Sequence, residues 1–314
     1  MRPSAAALAL AAVAATTGCL KRGLPLDRGI ESTFPARAAA PSLPDRLRVV
    51  TFNVHGEPGD VIADALRSDR ALRDADVIVL EEVHRADRAG DWCSGACRLA
   101  KELGFHAVFA PGHDNGEGSD GVAIVSRAPI TSAQVIELPY FDVVFNSGRR
   151  VALAATINLG DRPITVYAVH LDNRLTAGDR RKQIAPVLEH AARQRTPIIM
   201  AGDFNTSPFT WIRHVVPILT TTQDNRLEEL VRRHGFATPV ADSGATSRFL
   251  GMKLDAIYTR GFDTLRFATS NAKEISDHLA LWAVMRPAPP TAVPASSAPA
   301  TSAPATAARA TAAR

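Results

Sequence analysis

Long apolar runs are missing from this sequence. The stretch from Ala5 to Ala15 is too short to cross about 30 Å of hydrocarbon as a helix, so an export signal is a better reading than a permanent span. Cysteine is scarce, with three in 314 residues. Cys93 and Cys97 form one CxxxC without the second half that a structural zinc site needs. Neither sign of charge dominates: 36 Lys and Arg against 32 Asp and Glu leave a formal +4. That falls well short of a protein that coats nucleic acid, yet it suits an anionic substrate. Aromatics are 6% of the chain, and no aromatic-rich ladder marks a stacking platform, although mild basicity still admits a nucleic-acid groove. No repeat of fixed period is present, which argues against a solenoid.

The chain starts Met1-Arg2, and after the apolar run comes Thr16-Thr17-Gly18-Cys19. A charged start, a short apolar core and small residues before a cysteine follow the grammar of export signals. The ending resembles a bacterial lipobox, with Thr16 where Leu is usual, so Cys19 is the candidate for lipidation. An ordinary cleaved signal and an uncleaved anchor are the alternatives. Residues 1–19 are read as an export signal of lipoprotein type, which places the protein at the cell envelope, or secreted in the alternative. Residues 20–44 mix Pro, Ala, Arg and Gly without periodicity and read as a flexible tether. Residues 287–314 are almost wholly Ala, Pro, Ser and Thr and read as a disordered tail. One domain remains, from Asp45 to Arg286. With Cys19 set aside for lipid, Cys93 and Cys97 are an even pair that an oxidising compartment can join. The intervening Ser94-Gly95 suggests a loop or helix start that lets the sulfurs meet; two free thiols on a helix are the alternative.

Within the domain, short strands alternate with helical stretches. Strands are expected at Leu47–Phe52, Val77–Leu80, Val122–Ser126, Arg150–Asn158, Ile164–His170, Ile198–Gly202, Leu254–Thr259 and His278–Met285, all rich in β-branched or apolar residues. Helices are expected at Asp60–Ser68, Ala96–Leu103, Arg180–Arg195 and Gln223–Arg233. In the third, Ile184, Val187, Leu188 and Ala191 share one face, with Arg and Lys opposite. The mixed order argues for α/β layers.

Polar residues recur where apolar strands end: Asn53, Glu82, His170, Asp203 with Asn205, and Asp277 with His278. Singly, each has a bland explanation; Asn53 alone is more often a turn residue than a ligand. Together they supply what phosphate-ester hydrolysis demands. A hard cation needs oxygen ligands, for which Glu82 is suited, with Asn53 completing the shell or holding its water. The attacking water must be oriented and relieved of a proton, which suits Asp203 beside the amide of Asn205. Charge growing on phosphoryl oxygens needs donors, which His170 and His278 can supply when held in the right tautomer or protonated, and Asp255 is a candidate partner for His278. His84, His106, His113, His190, His214 and His234 lack a motif context and are read as structural.

The segments Thr51-Phe-Asn53-Val-His-Gly56, Asp76-Val-Ile-Val-Leu-Glu-Glu82-Val, Gly118-Ser-Asp-Gly-Val-Ala-Ile-Val-Ser126-Arg, Val169-His170-Leu-Asp172, Gly202-Asp203-Phe-Asn205, Lys253-Leu-Asp255-Ala-Ile and Ser276-Asp277-His278 resemble the ordered motifs of the endonuclease/exonuclease/phosphatase superfamily. Any one motif is weak; the ordered series, running across nearly the whole domain, is specific. The resemblance implies a four-layered α/β sandwich, two packed mixed β-sheets flanked by helices, with the site at one edge. It implies Mg²⁺ or Mn²⁺ held by Glu82, with Asn53 and Asp277 near the metal. It implies that Asp203 and Asn205 orient or activate the nucleophile and that His170 contacts the scissile phosphate. His278 is then a general base or phosphate donor, oriented by Asp255. Two further groups are candidates for substrate phosphate: His55, where some nucleases of the family carry an acidic or amide residue, and Arg150. Glu81 stands where Gln is usual, and the strand register favours Glu82 over Glu81 as the ligand.

The resulting expectation is an exported, divalent-metal-dependent phosphoesterase, a phosphodiesterase in the first instance, working by attack of an activated water. Nucleic acid, a phospholipid head group and an inositol phosphate all remain open as substrate, and a monomer held to a membrane by its N-terminal lipid is expected. The rival is a catalytically silent module that binds phosphorylated ligands. Loss of Glu82, Asp203 or His278 would be its signature, and all three are present.

Overall fold

The computed structural model describes residues 29–35, 46–86, 92–143, 148–160, 162–212, 215–219, 223–249 and 251–288. Its strands are β1 (Glu31–Thr33), β2 (Leu47–Asn53), β3 (Val77–Ala86), β4 (His106–Asp114), β5 (Gly118–Ser126), β6 (Ile130–Glu137), β7 (Val151–Leu159), β8 (Arg162–His170), β9 (Ile198–Asp203), β10 (Phe209–Ile212), β11 (Val216–Leu219), β12 (Asp255–Arg260), β13 (Phe262–Ser270) and β14 (Ala280–Pro287). Its helices are α1 (Gly59–Ser68), α2 (Gly95–Leu103), α3 (Ala177–Ala192) and α4 (Gln223–Arg233). A seven-stranded sheet runs in the order β1-β4-β5-β3-β2-β14-β13, and a five-stranded sheet in the order β12-β9-β8-β7-β6. Both are mixed, with β2 parallel to β3 in the first and β8 parallel to β9 in the second. The strands β10 and β11 form a separate hairpin.

Period-2 alternation sorts the strand side chains into separate cores. Val49, Val79, Ile124 and Leu281 of the larger sheet meet Leu153, Val166, Ala201 and Ile257 of the smaller one. Opposite faces are covered by helices: Val50, Ile78 and Leu80 pack with Ile62, Leu66 and Leu99 of α1 and α2. On the smaller sheet, Tyr167, Val169 and Met200 pack with Ile184, Val187, Leu188 and Val231 of α3 and α4. The result is helix, sheet, sheet, helix, the expected four-layered sandwich. Each fully buried Leu, Ile or Val in these cores contributes about 1.5–3 kcal/mol of transfer free energy.

Helix ends follow their local chemistry. The Ser94 hydroxyl accepts from Cys97 N at 3.1 Å and starts α2, and Gly104 at φ 69° stops it. The same start lets Cys93 and Cys97 form a disulfide with their Cα atoms 5.3 Å apart. The third helix begins at Ala177, not Arg180, because Thr176 caps it by accepting from Asp179 N. It ends at Ala192, short of the expected Arg195. Its polar face is not wholly in water either: Arg180 is buried and donates to the Asp172 carbonyl at 3.2 Å.

Several elements depart from expectation. The strands β4, β6 and β13 lie where none was expected, and β3 continues to Ala86 past a bulge between Leu80 and Val83. Pro111-Gly112 obscures β4, whose pairing with β5 is itself bulged between Pro111 and His113. The last strand starts at Ala280; His278 makes only an isolated bridge to Ser247. Glu31–Thr33, inside the stretch expected to be a tether, forms an edge strand on β4. Glu31 accepts from Ser94 N and Oγ, each at 3.1 Å, and lies 3.7 Å from Arg85 Nη1. Polar contacts of Glu31 thus help to dock this segment, beside the pairing with β4 and the packing of Ile30 against the core. Pro287, expected to open the tail, closes β14, and Ala288 N donates to Gly261 O at 2.9 Å. The expected signal, Cys19 and the rest of the tail lie outside the described residues. Among the described residues no helix is long and apolar enough to cross a membrane.

Candidate active site

At one end of the sandwich the strand ends of both sheets meet. On β2, Val49, Thr51 and Asn53 share the face turned toward the smaller sheet, so Asn53 arrives at the strand end buried. Its Nδ2 donates to Glu82 Oε1 and to Asp203 Oδ2, each at 3.2 Å, and its Oδ1 accepts from His55 N at 3.2 Å.

Glu82 reaches this cluster through the bulge. Strict alternation along β3 puts Val77, Val79 and then Glu81 toward the smaller sheet, and would send Glu82 to the helix side. The bulge and a left-handed backbone at Glu82 (φ 53°) turn its carboxylate back into the cleft. Glu81 stays fully buried beneath, accepting from Thr51 Oγ1 at 3.0 Å. Burial, reinforced by Asp255 and Asp203, holds its pKa well above the usual carboxylate range.

The smaller sheet supplies the floor. Parallel pairing of β8 with β9 sets His170 beside Asp203, and antiparallel pairing of β12 with β9 sets Asp255 on the other side. Gly202 precedes Asp203 at φ 148°, where an added Cβ would sit 1.9 Å from Val169 O, so only glycine lets β9 lie against β8 there. Asn205 fixes Asp203 by donating N–H to Oδ1 at 2.8 Å and Nδ2 to Oδ2 at 3.1 Å, and is itself held on Leu171 O at 2.8 Å. His170 Nε2 stands 3.6 Å from Asp203 Oδ2 and 3.9 Å from Glu82 Oε1. His278 Nε2 stands 3.9 Å from the same Asp203 oxygen, and its Nδ1 pairs with Asp255 Oδ2 at 2.8 Å. Ser276 ties this segment to β2, donating to Asn53 O at 2.7 Å and accepting from His278 N at 3.1 Å. On the open side His55 Nδ1 pairs with Asp277 Oδ1 at 3.1 Å.

Crowded charge sets the proton affinities. Burial above all, then Asp255 and Glu82, push Asp203 up to about 7, against the pull of His278 and the Asn205 N–H. Burial opposes charge on His278, but Asp255 with its hydrogen bond, Asp203 and Asp277 outweigh it and hold the imidazole well above its ordinary value. His55 is pushed up to about 9, chiefly by its hydrogen bond to Asp277, whose own carboxyl is lowered by the same bond. Asp203, Asp255 and His278 offer ligand atoms within 4.8 Å of one another and could hold a metal ion.

The structure therefore brings Asn53, His55, Glu82, His170, Asp203, Asn205, Asp255, Asp277 and His278 to one cleft. Arg150 is the exception among the sequence candidates. It is buried, with Nε donating to Asp172 Oδ1 at 2.7 Å and Nη1 facing His170 Nδ1 at 3.2 Å, so it does not present an open fork to a phosphate. The resemblance that singled out Arg150, an Arg followed by an apolar strand, could not show Asp172 beside it. Three groups of the site carried no assigned role in the sequence: Ser276, Asp172 and Gln183. Asp172 was visible only as the last residue of the Val169–Asp172 motif.

A sequence model described as the Endonuclease/Exonuclease/phosphatase family matches residues 50–278. The chain is 31% identical over 137 residues to the UPF0294 protein YE0917 of Yersinia enterocolitica, a match that covers 40% of this chain and 47% of that protein. It thus spans about half the length of that curated relative. Among solved structures, an endonuclease/exonuclease/phosphatase from Beutenbergia cavernae superposes with a TM-score of 0.63 at 22% identity, over 78% of this chain and 72% of that one. A family protein from Leptotrichia buccalis gives 0.59 at 19% identity, over 76% and 98%. At these identities the two structures speak for the fold. With the family match running from β2 to His278, across the same strand ends that converge on the cleft, the chain belongs to the endonuclease/exonuclease/phosphatase family.

Proposed function

We propose that this protein is an exported, divalent-metal-dependent phosphoesterase that hydrolyses a phosphodiester by attack of an activated water. One observation carries the reading: the buried Asp203 Oδ2 is the common neighbour of Asn53, Asn205, His170 and His278, which come from both sheets. A carboxylate whose pKa is pushed up to about 7 is matched to taking a proton from water near neutrality. Asn205 holds that carboxylate in place, and His170 and His278 aim Nε2 atoms toward the region where phosphoryl oxygens would lie. His55, kept charged at neutral pH by Asp277, adds positive charge on the open side.

The donor chemistry fits a hard cation. Glu82 and Asp277 keep 36% and 46% of their side chains exposed at the cleft, and Asn53 adds an amide oxygen. Burial raises Asp203 most, and the negative charge of Asp255 and Glu82 that adds to it is what a cation here would offset. Glu82, Asn53 and Asp277 are the residues proposed to hold Mg²⁺ or Mn²⁺, in preference to the buried Asp203–Asp255–His278 group, because a hard cation favours oxygen donors over an imidazole nitrogen. Such an ion supplies Lewis-acid polarisation of a phosphoryl oxygen. The substrate candidates are nucleic acid, a phospholipid head group and an inositol phosphate. Cys19 is proposed as a lipid attachment point at the cell envelope.

The test is hydrolysis of bis(p-nitrophenyl) phosphate by the purified chain with Mg²⁺, Mn²⁺ or a chelator. Metal-dependent turnover is expected, reduced roughly 10²–10⁴-fold in Asp203→Asn. Equal rates for wild type and variant, or turnover indifferent to chelator, would overturn the proposal. DNA, RNA, sphingomyelin and inositol phosphates assayed side by side would then define the ester.

A further inference from the structure

The two histidines that flank Asp203 are backed by partners of opposite kind. Behind His278 stands the Asp255 carboxylate, an acceptor, 2.8 Å from Nδ1. Behind His170 stands the Arg150 guanidinium, with Nη1 3.2 Å from Nδ1. Arginine has N–H donors only and stays protonated in proteins. The His170 Nδ1 that faces it must therefore accept, which leaves the ring proton on Nε2, the nitrogen turned toward Asp203 and Glu82.

Arg150 is not free to turn away. Its Nε donates to Asp172 Oδ1 at 2.7 Å. Asp172 is held in turn by Gln183 of α3, whose Nε2 donates to Asp172 Oδ2 at 2.7 Å while its Oε1 accepts from Asp172 N at 2.9 Å. That pair of bonds fixes the amide orientation of Gln183. Asp172 is 1% exposed, Gln183 0%, His170 5% and Arg150 9%, so water has little access through which to substitute for any partner.

We infer that Arg150 is a positioning residue that locks His170 as a neutral Nε2–H hydrogen-bond donor, so that His170 grips a phosphoryl oxygen but does not deliver a proton to the leaving group. Giving up the Nε2 proton would leave an imidazolate, because Nδ1 faces a donor and carries no second proton. The proton for the leaving oxygen must then come from another group. The grip on phosphate rests on the proposed phosphoesterase function; the tautomer does not.

The primary test is a two-dimensional ¹⁵N–¹H spectrum of histidine-labelled full-length protein at neutral pH, with His170 assigned by its disappearance in His170→Gln. The expected pattern is one unprotonated Nδ1 and one protonated Nε2. A protonated Nδ1, or an imidazolium, overturns the proposal whether or not any variant folds. Arg150→Met keeps the bulk and removes the donor. It is expected to mix the two tautomers and to lower kcat roughly ten- to hundredfold, the range typical of removing an outer partner of a working side chain, with KM changed much less. Arg150→Lys keeps a charged donor that cannot hold both partners at once, and should fall between. An Arg150→Met protein with the wild-type spectrum and kcat would also overturn the inference. Should the chain hydrolyse no phosphate ester while the wild-type spectrum is as expected, the functional proposal fails and the tautomer assignment stands.

Discussion

Three site residues hold left-handed backbone: His55, Glu82 and Asn205, with φ of 51°, 53° and 50°. Each such conformation costs on the order of 1–3 kcal/mol, and here each aims a side chain at the cleft. Charge is strained as well, and it gives stability a defined pH dependence. The pKa of Asp203 rises on folding, so the folded state loses stability as pH climbs from 3.8 toward about 7. The Tm of Asp203→Asn minus that of wild type, in metal-free buffer, should therefore grow across that interval; a flat difference would contradict the crowding described for this carboxylate. His55 runs the same way over a higher pH range, although here it is the charged form that folding favours. Its raised pKa contributes stability that is full below 6.5 and lost as pH rises through about 9. His55→Ala should accordingly lose ground to wild type at pH 6 and close the gap by pH 9 or above in thermal melts. The positions of these groups were legible in the sequence because each follows an apolar strand or sits in an ordered motif. Arg150 was legible as a charge at a strand start but not in its orientation, since Asp172 and Gln183 approach it from a loop and a helix far along the chain.

The strands that carry the site were readable because their apolar alternation is strong, and the structure keeps β2, β7, β8, β9 and β12 within a residue or two of expectation. Elements on the periphery were harder. Phe262–Ser270 buries only Phe262 fully, so β13 lacks the continuous apolar run of a central strand. Glu82, and not Glu81, reaches the cleft as expected, but not by strand register: strict alternation puts Glu81 on the cleft face, and only the bulge in β3, which the sequence does not show, brings Glu82 there. Backbone contact also sets what β9 tolerates. Gly202→Ala is expected to cost about 3 kcal/mol, because the added methyl meets the Val169 carbonyl and not a yielding side chain. Urea denaturation with an unchanged m-value would measure it; a loss under about 0.5 kcal/mol would mean that β8 and β9 can part without consequence.

At the scale of the whole molecule, the layered architecture follows from three apolar surfaces that the sequence displays, whereas the contribution of the N-terminal segment does not. Gly29–Pro35 lacks the continuous apolar run of a core strand, yet Ile30 packs on the core, and Glu31 joins Ser94 at the start of α2 and lies beside Arg85 of β3. A fragment starting at Asp45 should therefore melt below one starting at Gly29 and associate more readily, since the edge of β4 is then uncovered; identical melts would show that β1 contributes nothing. If the proposed metal site is real, divalent cation should raise the Tm of the wild-type chain with the logarithm of its concentration once above Kd, and do so less in Glu82→Gln. The latch at β1 also bears on reach. If Cys19 carries a lipid, only about ten residues separate that lipid from the first docked residue, and at ~3.5 Å per residue they extend no more than roughly 35 Å. A leash running freely to Asp45 would allow about 90 Å. Under that condition so short a leash would confine the folded domain to patrolling a thin shell just above the bilayer.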